Sequence, residues 1–447
     1  MRKENKNYTL VLKIFTAVIL GLLVGFIFIL IRNKLGGNIN SSWRIIDAIL
    51  FQDITISSGF NGIGIFYIIG QLFMRGLQLA IVPLVFTSLS LAICSLADSK
   101  KIELIAVKTF LTYIIFYIIV AFLAGASAFL VMKRGGFNVV LPKSEATKIA
   151  TMNGFNPLVT IINAVPNNIF SVFSSNNQVL SVVVVAIITG LCMTKLKDKA
   201  KALKKVIESL FDVLQVYLNF LISKISPIAI FCMISRALAI YGTEYIKPTF
   251  VWMLTTIIVS LVLVITVYPL GIFLTTGLNP IIFIKKTMKV GFFAAATNSS
   301  AATLPINTKT CINELGCSEE ISSFILPTGM TVNMNGTTAM HMIAIVFIAT
   351  AAGIKVTPGM LVLVAFLSIC TAMGTPAIPI AGTTMVYVVM SGIGLNSELC
   401  LIGYSLVLAM NYLPGMAVIT LNVIGDAATN VIINYKEGVL NEEIYNS

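Results

Sequence analysis

Long apolar stretches, separated by short polar ones, run through most of the chain. Four of them reach the roughly 20 residues that a helix needs to cross a bilayer, namely residues 9–31, 104–132, 211–235 and 250–276. Another span is predicted at about 67–96, where Pro83 should kink the helix. Residues 33–65, rich in Gly, Asn and Ser, are predicted to form an external connection. The pattern predicts an all-α integral membrane protein.

From about residue 280 the apolar stretches become shorter, and small polar residues interrupt them. Residues 298–305 (NSSAATLP) and 374–382 (GTPAIPIAG) are too polar to span a membrane, yet apolar segments flank each of them closely. This pattern favours re-entrant hairpins, which enter the membrane partway and expose their tips to a cavity, over Pro- and Gly-rich loops outside the membrane.

One polar stretch, residues 327–337 (PTGMTVNMNGT), interrupts what otherwise has the pattern of a membrane-spanning helix. Its two glycines permit backbone conformations that a lipid-facing helix avoids. Backbone carbonyls freed at membrane depth, together with Asn and Thr side chains, are ligands that suit a hard cation. Residues 420–426 (TLNVIGD) repeat the pattern. We therefore expect a transporter built from repeats, with its site between these two elements.

Composition and charge support a membrane protein. Hydrophobic residues make up 57% of the 447 residues and charged residues 11%, and the mean hydropathy is +0.96. The net charge of +12 includes six lysines between residues 195 and 205, in a polar segment between apolar stretches. By the positive-inside rule such segments, and both termini, are expected in the cytoplasm. Membrane orientation thus explains the basic balance better than a nucleic-acid partner. Five basic residues would lie on the far side: Arg32, Lys34, Arg44, Lys133 and Arg134.

The sequence carries no pattern typical of an enzyme or a structural metal site. Its seven cysteines are scattered without a CxxC spacing and are interpreted as small packing residues. There is no HExxH motif, no pair of carboxylates and only one histidine. We expect neither catalysis nor a cofactor.

Several motifs resemble one known family. They are residues 165–170 (VPNNIF), 177–180 (NQVL), 299–305 (SSAATLP), 316–327 (GCSEEISSFILP), 333–337 (NMNGT) and 422–426 (NVIGD). The chain is similar, over nearly its whole length, to the dicarboxylate/amino acid:cation symporters, which include the glutamate and aspartate transporters.

The resemblance implies a specific architecture. It comprises eight transmembrane helices and two re-entrant helical hairpins arranged as inverted repeats, in a homotrimer that works by an elevator movement. The implied division is 1–100 for scaffold helices 1 and 2, 101–135 for helix 3 of the transport domain, 136–245 for scaffold helices 4 and 5, 246–437 for the rest of the transport domain, and 438–447 for a cytoplasmic tail.

Asp426 is the strongest candidate for a cation ligand. Between Glu320 and Asp426 the only other acid is Glu398, so Asp426 is an isolated carboxylate in an apolar region. Such a residue is costly in a membrane and is usually functional; the alternative is an acid exposed to water near the end of the last helix. In the family this position binds Na⁺ with the residues that correspond to Gly329, Asn333 and Asn422.

Two further Na⁺ sites of the family are less complete here. The second begins at Thr331 and is completed mainly by backbone oxygens near Ala372, Met373 and Thr375. The third needs a carboxylate where this chain has Asn335. Loss of that charge removes what offsets a buried cation, so we predict fewer coupled Na⁺ ions. The other residues at this degenerate site are Tyr113, Phe116 and Tyr117.

His341, the only histidine, has two interpretations. By alignment it lies where proton-coupled members carry a titratable Glu, and its ordinary pKa near 6.5 suits a proton carrier. The other interpretation is a hydrogen-bonded core histidine.

The solute site departs most from the family. The family's Asp for the amino group and Arg for the second carboxylate fall at Gly415 and Val418, and Asn298 replaces an Arg that some members carry. No Lys or Arg lies between Lys355 and Lys436. Because a bidentate Arg best fits a second carboxylate, we expect a neutral amino acid or a monocarboxylate. The candidate solute-binding residues are Ser299, Ser300, Thr337, Ile380, Gly382, Gly415, Val418 and Asn422.

The sequence thus predicts a Na⁺-coupled symporter in the cell membrane, with H⁺ as a further coupling ion to consider. A non-transporting sensor of the same fold, motivated by the missing charged pocket residues, and a channel-like conductance are the alternatives. Accumulation of solute in vesicles separates a transporter from both.

Overall fold

The computed structural model describes residues 2–36, 40–55, 62–95, 100–139, 162, 165–174, 178–375 and 381–447. Within these residues the secondary structure is helical and contains no strand. The prediction of an all-α protein is confirmed.

Eighteen helices are numbered here in chain order. They are α1 Arg2–Lys34, α2 Ser41–Leu50, α3 Ile65–Ser95, α4 Lys100–Lys133, α5 Ile169–Phe173, α6 Val179–Leu196, α7 Lys201–Phe220, α8 Ser226–Tyr241, α9 Ile246–Thr276, α10 Pro280–Thr297, α11 Ser300–Asn313, α12 Glu319–Val332, α13 Asn335–Ala351, α14 Pro358–Met373, α15 Ala381–Gly392, α16 Glu398–Met410, α17 Tyr412–Lys436 and α18 Glu442–Asn446.

Seven helical stretches of the described chain are long and apolar enough to cross a membrane: Thr16–Lys34, Ile65–Leu91, Leu104–Lys133, Ser181–Ile240, Ile246–Thr276, Glu319–Ala351 and Tyr412–Lys436. The stretch Ser181–Ile240 is 60 residues long and contains most of α6 and α8 with all of α7. Several apolar spans are therefore present, and the count of eight stays a prediction.

The predicted external connection, residues 33–65, contains a helix that the sequence analysis missed. Helix α2 begins after Asn40, whose side chain accepts a hydrogen bond from the backbone N–H of Ser42 at 2.8 Å. Its Trp43 is buried and stacks on Phe51 with ring centroids 6.3 Å apart. A capped, amphipathic segment of ten residues forms a stable helix because one of its faces packs on the protein.

Two sets of helices pack side by side. In the first, α1 lies along α8, and α3 lies along α6, α7 and α8. In the second, α17 is surrounded by α9, α10, α11, α12 and α13, while α4 packs on α13. The stretch Tyr412–Lys436 is 89% buried whereas Thr16–Lys34 is 22% buried. Helix α17 therefore lies at the centre of the second set, and α1 presents most of its surface outward.

Helices α10 and α11 form the first predicted hairpin. Helix α10 ends at Asn298, which adopts left-handed backbone angles with φ +47°. Ser299 then caps α11, its hydroxyl accepting from the N–H of Ala302 at 3.3 Å. Helices α14 and α15 are arranged in the same order around the second predicted tip. Residues 376–380 of that tip lie outside the described residues.

The predicted break in the central helix is present but shorter than expected. Only Asn333 and Met334 leave the helix, between α12 and α13, whereas residues 327–332 and 335–337 stay helical. Gly329 and Gly336 have no positive φ. These glycines instead allow groups of another helix to approach the backbone closely. A Cβ on Gly329, for example, would collide with the Asp426 carboxylate. The prediction that residues 420–426 form a second element of this kind is wrong as regards a break, because helix α17 runs through these residues without interruption.

The predicted tail, residues 438–447, docks on the base of the first hairpin. Tyr445 is fully buried, and its hydroxyl donates to the carbonyl of Asn279 at 3.0 Å. The Lys286 ammonium donates to the carbonyls of Glu314 and Tyr445 at 2.8 and 2.9 Å. These bonds join the tail to α10, and Lys286 also links α10 to the end of α11.

Candidate functional site

A chain of buried polar side chains leads from α9 through the helix break to α17. Asn335 donates to the Tyr268 hydroxyl at 3.0 Å and to the side-chain oxygen of Asn333 at 2.8 Å. Asn333 in turn donates to the Asp426 carboxylate at 2.9 Å. Asp426 is 3% exposed and forms no ion pair with any described Lys, Arg or His. The carboxylate therefore lies in the protein interior, held only by a neutral amide.

Backbone atoms of α12 approach the same carboxylate. Gly329 lies directly against Asp426, and a Cβ placed there would lie 2.7 Å from the Tyr113 hydroxyl. Tyr113 donates to the Ile325 carbonyl at 3.1 Å. The predicted cation ligands Gly329, Asn333 and Asp426 are thus brought together. Their oxygens are of the kind that a hard cation binds.

Tyr117 satisfies the backbone at the helix break. Its hydroxyl accepts from the N–H of Met334 at 2.6 Å and donates to the Val332 carbonyl at 2.8 Å. Both backbone groups lose their helical partners because the helix stops at Asn333. Buried backbone groups without partners are costly, so Tyr117 stabilises the unwound segment.

We expect Tyr117→Phe to destabilise the protein more than Tyr113→Phe does. The first substitution leaves a buried N–H and a buried C=O without partners, at a cost of about 2 kcal/mol or more, whereas the second removes one bond at about 1 kcal/mol. Thermal unfolding of both purified variants in detergent checks the order. Equal shifts in the unfolding temperature would contradict this role of Tyr117.

Phe116 and Asn335, two residues of the predicted degenerate third Na⁺ site, both contact Tyr268. Phe116 packs edge-on against Tyr268, with ring centroids 5.1 Å apart. Asn335 directs its NH₂ group at two oxygens, those of Asn333 and Tyr268, and its own side-chain oxygen has no hydrogen-bond partner. The two oxygens are thus bound by N–H groups of the Asn335 amide.

The residues of the second predicted Na⁺ site are less closely tied together. Thr331 is half-buried, and its hydroxyl donates to the Thr328 carbonyl at 3.0 Å. Ala372, Met373 and Thr375 are buried at the end of α14. No described hydrogen bond joins them to Thr331, so this site stays a prediction.

Asn422 joins α17 to the first turn of α13. Its side-chain oxygen accepts from the N–H of Gly336 at 2.7 Å, and its amide donates to the Thr337 hydroxyl at 3.4 Å. Helix α13 has no cap of its own, so Asn422 satisfies its free backbone donors. Gly382 of α15 lies opposite Thr337, because a Cβ on Gly382 would meet the Thr337 hydroxyl at 3.2 Å. Val418 is buried, with its carbonyl against Gly336.

The tip of the first hairpin meets the start of α17. A Cβ on Gly415 would lie 3.2 Å from both amide atoms of Asn298. Ser299 caps α11, and Ser300 is buried with a hydroxyl that has no partner. Ile380 lies outside the described residues. The other predicted solute residues thus lie in two neighbouring groups, one at the tip of the hairpin and one around Asn422.

His341 bridges α13 to both helices of the second hairpin. It is fully buried, with Nε2 2.8 Å from the Gly382 carbonyl and Nδ1 3.4 Å from the Thr371 hydroxyl. A carbonyl oxygen only accepts, so Nε2 carries a hydrogen. Both interpretations of His341 remain open.

Sequence reasoning missed two residues, Tyr268 and Asn411. Tyr268 donates to the Leu421 carbonyl at 2.9 Å and closely approaches Gly425. The glycine at position 425 was a sequence signal for this contact, because a glycine inside a helix often leaves room for a side chain of a neighbouring helix. Asn411 lies between α16 and α17 beside Gly415, and no motif distinguishes it.

Comparisons with known proteins identify the family of the chain. The chain matches the profile of the Sodium:dicarboxylate symporter family over residues 10–436. It is 24% identical over 382 residues to a proton/sodium-glutamate symport protein of Bacillus caldotenax, covering 84% of this chain and 88% of that protein. It is 26% identical over 419 residues to an excitatory amino acid transporter of Caenorhabditis elegans, covering 83% and 81%.

A third relative has a different named solute. A C4-dicarboxylate transport protein of Cupriavidus pinatubonensis is 25% identical over 373 residues, covering 82% of this chain and 84% of that protein. The family consists of cation-coupled membrane transporters and not of enzymes, and Na⁺ fits as coupling ion. The profile match spans nearly the whole chain, and the chain belongs to the sodium:dicarboxylate symporter family.

Proposed function

We propose that the protein is a Na⁺-coupled symporter of a small organic solute with no more than one carboxylate, either a neutral amino acid or a monocarboxylate. The observation that carries the proposal is the buried carboxylate of Asp426, bound to Asn333 beside the helix break in a region without basic side chains. An ionised carboxylate in an apolar interior needs a positive partner, and the coupling cation supplies it.

The proposed Na⁺ ligands are the carboxylate of Asp426, the side-chain oxygens of Asn333 and Asn422, and the backbone near Gly329. Asn422 lies one turn before Asp426 on α17, so both side chains are on the same face of that helix. Thr331 and the end of α14 form the proposed second site. Since Asn335 directs hydrogens at the oxygens that a third cation would need, the number of coupled Na⁺ ions is lower than in relatives with a carboxylate there.

The solute carboxylate is proposed to bind at the N-terminus of α11 and at Asn422. The free backbone donors of a helix N-terminus favour an anion, and the Ser300 hydroxyl beside them has no protein partner. A second carboxylate would need a basic residue. Gly415 and Val418 supply no charge, and the nearby Asn298 is neutral.

We propose that the transport movement takes place between the two sets of helices. Packing of α1, α3, α6, α7 and α8 with one another, and of α4 with α9–α17, supports a scaffold of residues 1–100 and 136–245 and a transport domain of 101–135 and 246–437. We propose an elevator movement of the second set against the first, in a homotrimer with both termini in the cytoplasm.

His341 is proposed either as a carrier of a coupled proton or as a fixed link between α13 and the second hairpin. Its two hydrogen bonds fit both roles, because a hydroxyl such as that of Thr371 can donate to a neutral ring or accept from a charged one. Solute-driven proton movement in proteoliposomes distinguishes the two roles.

Thermal stability of the purified protein, measured with and without Na⁺ against a panel of small solutes, tests the proposal. A solute that binds the folded state raises the apparent stability by mass action, by about 2.7 kcal/mol at a hundredfold excess over its Kd. We expect stabilisation by neutral amino acids or monocarboxylates only in the presence of Na⁺. Na⁺-driven accumulation of the same solute in proteoliposomes should follow.

Two results would count against the proposed function. Stabilisation by glutamate, aspartate or C4-dicarboxylates alone would overturn the solute class. Stabilisation without accumulation would indicate the sensor alternative.

A further inference from the structure

Two carboxamides meet around Gly415, where the first hairpin contacts α17. A Cβ on Gly415 would lie 3.2 Å from the amide nitrogen and oxygen of Asn298 and 3.5 Å from the amide nitrogen of Asn411. Asn298 is 7% exposed and Asn411 is 6% exposed. Because Gly415 has no side chain, the buried, neutral amide of Asn298 packs closely against it, and the amide nitrogen of Asn411 lies beside both.

The polar groups of this cluster are poorly satisfied by the protein. Among the described residues, the buried side-chain oxygen of Asn411 has no hydrogen-bond partner, and neither has the hydroxyl of Ser300, two residues after Asn298. The Asn298 amide has one long hydrogen bond, 3.5 Å to the Tyr412 carbonyl. A buried polar group without a partner costs free energy, so a ligand that supplies the partners gains affinity.

The chemistry of the cluster distinguishes between the two solute classes of the proposed function. A carboxamide offers a carbonyl that accepts and an NH₂ group that donates. An ammonium group can only donate, so it leaves the NH₂ groups of Asn298 and Asn411 facing a positive charge. A hydroxyl group donates to the Asn411 oxygen and accepts from an NH₂ group, so it satisfies both.

The lack of acidic residues near Gly415 also favours a hydroxyl over an ammonium group on the solute. Apart from Asp426, the only acid between residues 321 and 436 is Glu398. Asp426 lies against Gly329 and Asn333, 11 residues along α17 from Gly415 or about 16 Å of helix rise. An ammonium group beside Gly415 would therefore have no carboxylate partner from this part of the chain.

We infer that the solute is a monocarboxylate that carries a hydroxyl group, which Asn298 and Asn411 bind beside Gly415 while Ser300 and Asn422 hold the carboxylate. This inference rests on the proposed function and narrows its solute class from two to one. Asn411 and Asn298 are then specificity-determining residues.

Three-carbon solutes that differ only at C2 test the inference. Lactate carries a hydroxyl there, alanine an ammonium and propionate only hydrogens. In the presence of Na⁺ we expect lactate to stabilise the protein at a concentration about tenfold lower than propionate does, as one hydrogen bond predicts, and alanine to be weaker than both. A matched five-carbon set (2-hydroxyvalerate, norvaline, valerate) covers a larger cavity.

Two substitutions at Asn411 separate specificity from folding. Asn411→Leu removes both the acceptor and the donor, so the advantage of the hydroxy acid over the plain acid should disappear. Asn411→Asp supplies the carboxylate that an ammonium needs, so the preference should change from lactate to alanine. Gly415→Ala should weaken the preference for the hydroxy acid too, because its methyl group would displace the Asn298 amide. Each variant is first shown to unfold cooperatively.

The outcomes are distinguishable. If the wild type prefers alanine or norvaline over the hydroxy acid, or if Asn411→Asp leaves the preference unchanged, the inference is overturned while Na⁺-coupled symport stands. If no member of either set binds with Na⁺ but another neutral amino acid or monocarboxylate does, the inference is also overturned. If no neutral amino acid or monocarboxylate binds with Na⁺, the proposed function itself fails.

Discussion

Replacing Asp426 by asparagine is expected to abolish Na⁺-dependent solute binding and to stabilise the Na⁺-free protein. The carboxylate is buried, and its only described hydrogen-bond partner is the Asn333 amide. Removing one member of a buried ion pair costs about 3–5 kcal/mol, so Na⁺ should bind more than about a hundredfold more weakly. Without Na⁺, the same substitution removes an uncompensated buried charge, and the unfolding temperature should rise.

Thermal unfolding over a range of Na⁺ concentrations measures both effects in one experiment. Glu437→Gln is the matched control. It also neutralises an acid of this region, but Glu437 is bonded to Lys108 at 2.6 Å on the protein surface. The control should keep the Na⁺ dependence of the wild type. A variant at Asp426 that responds to Na⁺ as the wild type does would contradict the assignment of the site.

Asn335→Asp is expected to restore a third cation site. The new carboxylate cannot donate to Tyr268 or Asn333, as the amide does at 3.0 and 2.8 Å. It would also place a second negative charge close to Asp426, through the intervening Asn333. Without Na⁺ the variant should therefore be less stable than the wild type by about 3 kcal/mol, the lower end of the cost of an unpaired buried charge.

High Na⁺ concentrations should reverse this loss, because a cation can bind between the introduced carboxylate and the side-chain oxygens of Asn333 and Tyr268. The dependence of stability on Na⁺ should become steeper, as one additional bound ion predicts. Asn307→Asp is the control, since Asn307 is equally buried but donates to the Val423 carbonyl and has no described hydrogen bond to Asn335, Asn333 or Asp426. An Asn335 variant that loses stability equally at all Na⁺ concentrations would refute the restored site.

Much of the helical architecture could be predicted from the sequence, because an apolar segment of sufficient length forms a helix in a membrane whatever its neighbours are. The predicted span at 104–132 lies within α4, and that at 250–276 lies within α9. The short amphipathic helix α2 was missed. Its stability depends on the burial of Trp43 against Phe51, a contact between residues eight positions apart that periodicity does not report.

The extent of the helix break could not be predicted. Residues 327–337 contain Pro, Gly, Asn and Thr, and each of these residues lowers helix propensity. In the structure only Asn333 and Met334 leave the helix, because Tyr117 from α4 satisfies the N–H of Met334 and the carbonyl of Val332, the backbone groups freed at this position. Local propensity marks a weak segment, whereas a hydrogen-bond partner from another helix decides where it opens.

In the candidate site, too, some features follow from the sequence and others from the tertiary structure. Sequence alone determined the apolar spans, the isolated acid at Asp426 and the lack of a basic residue for a second carboxylate, because these depend on composition and order along the chain. Tertiary structure decided that Tyr268, Asn335 and Asn333 lead to Asp426, and that Asn298 meets Asn411 across Gly415. Apart from the bond between Asn335 and Asn333, those contacts join residues 67 or more positions apart. Only helix packing determines which of their side chains lie together.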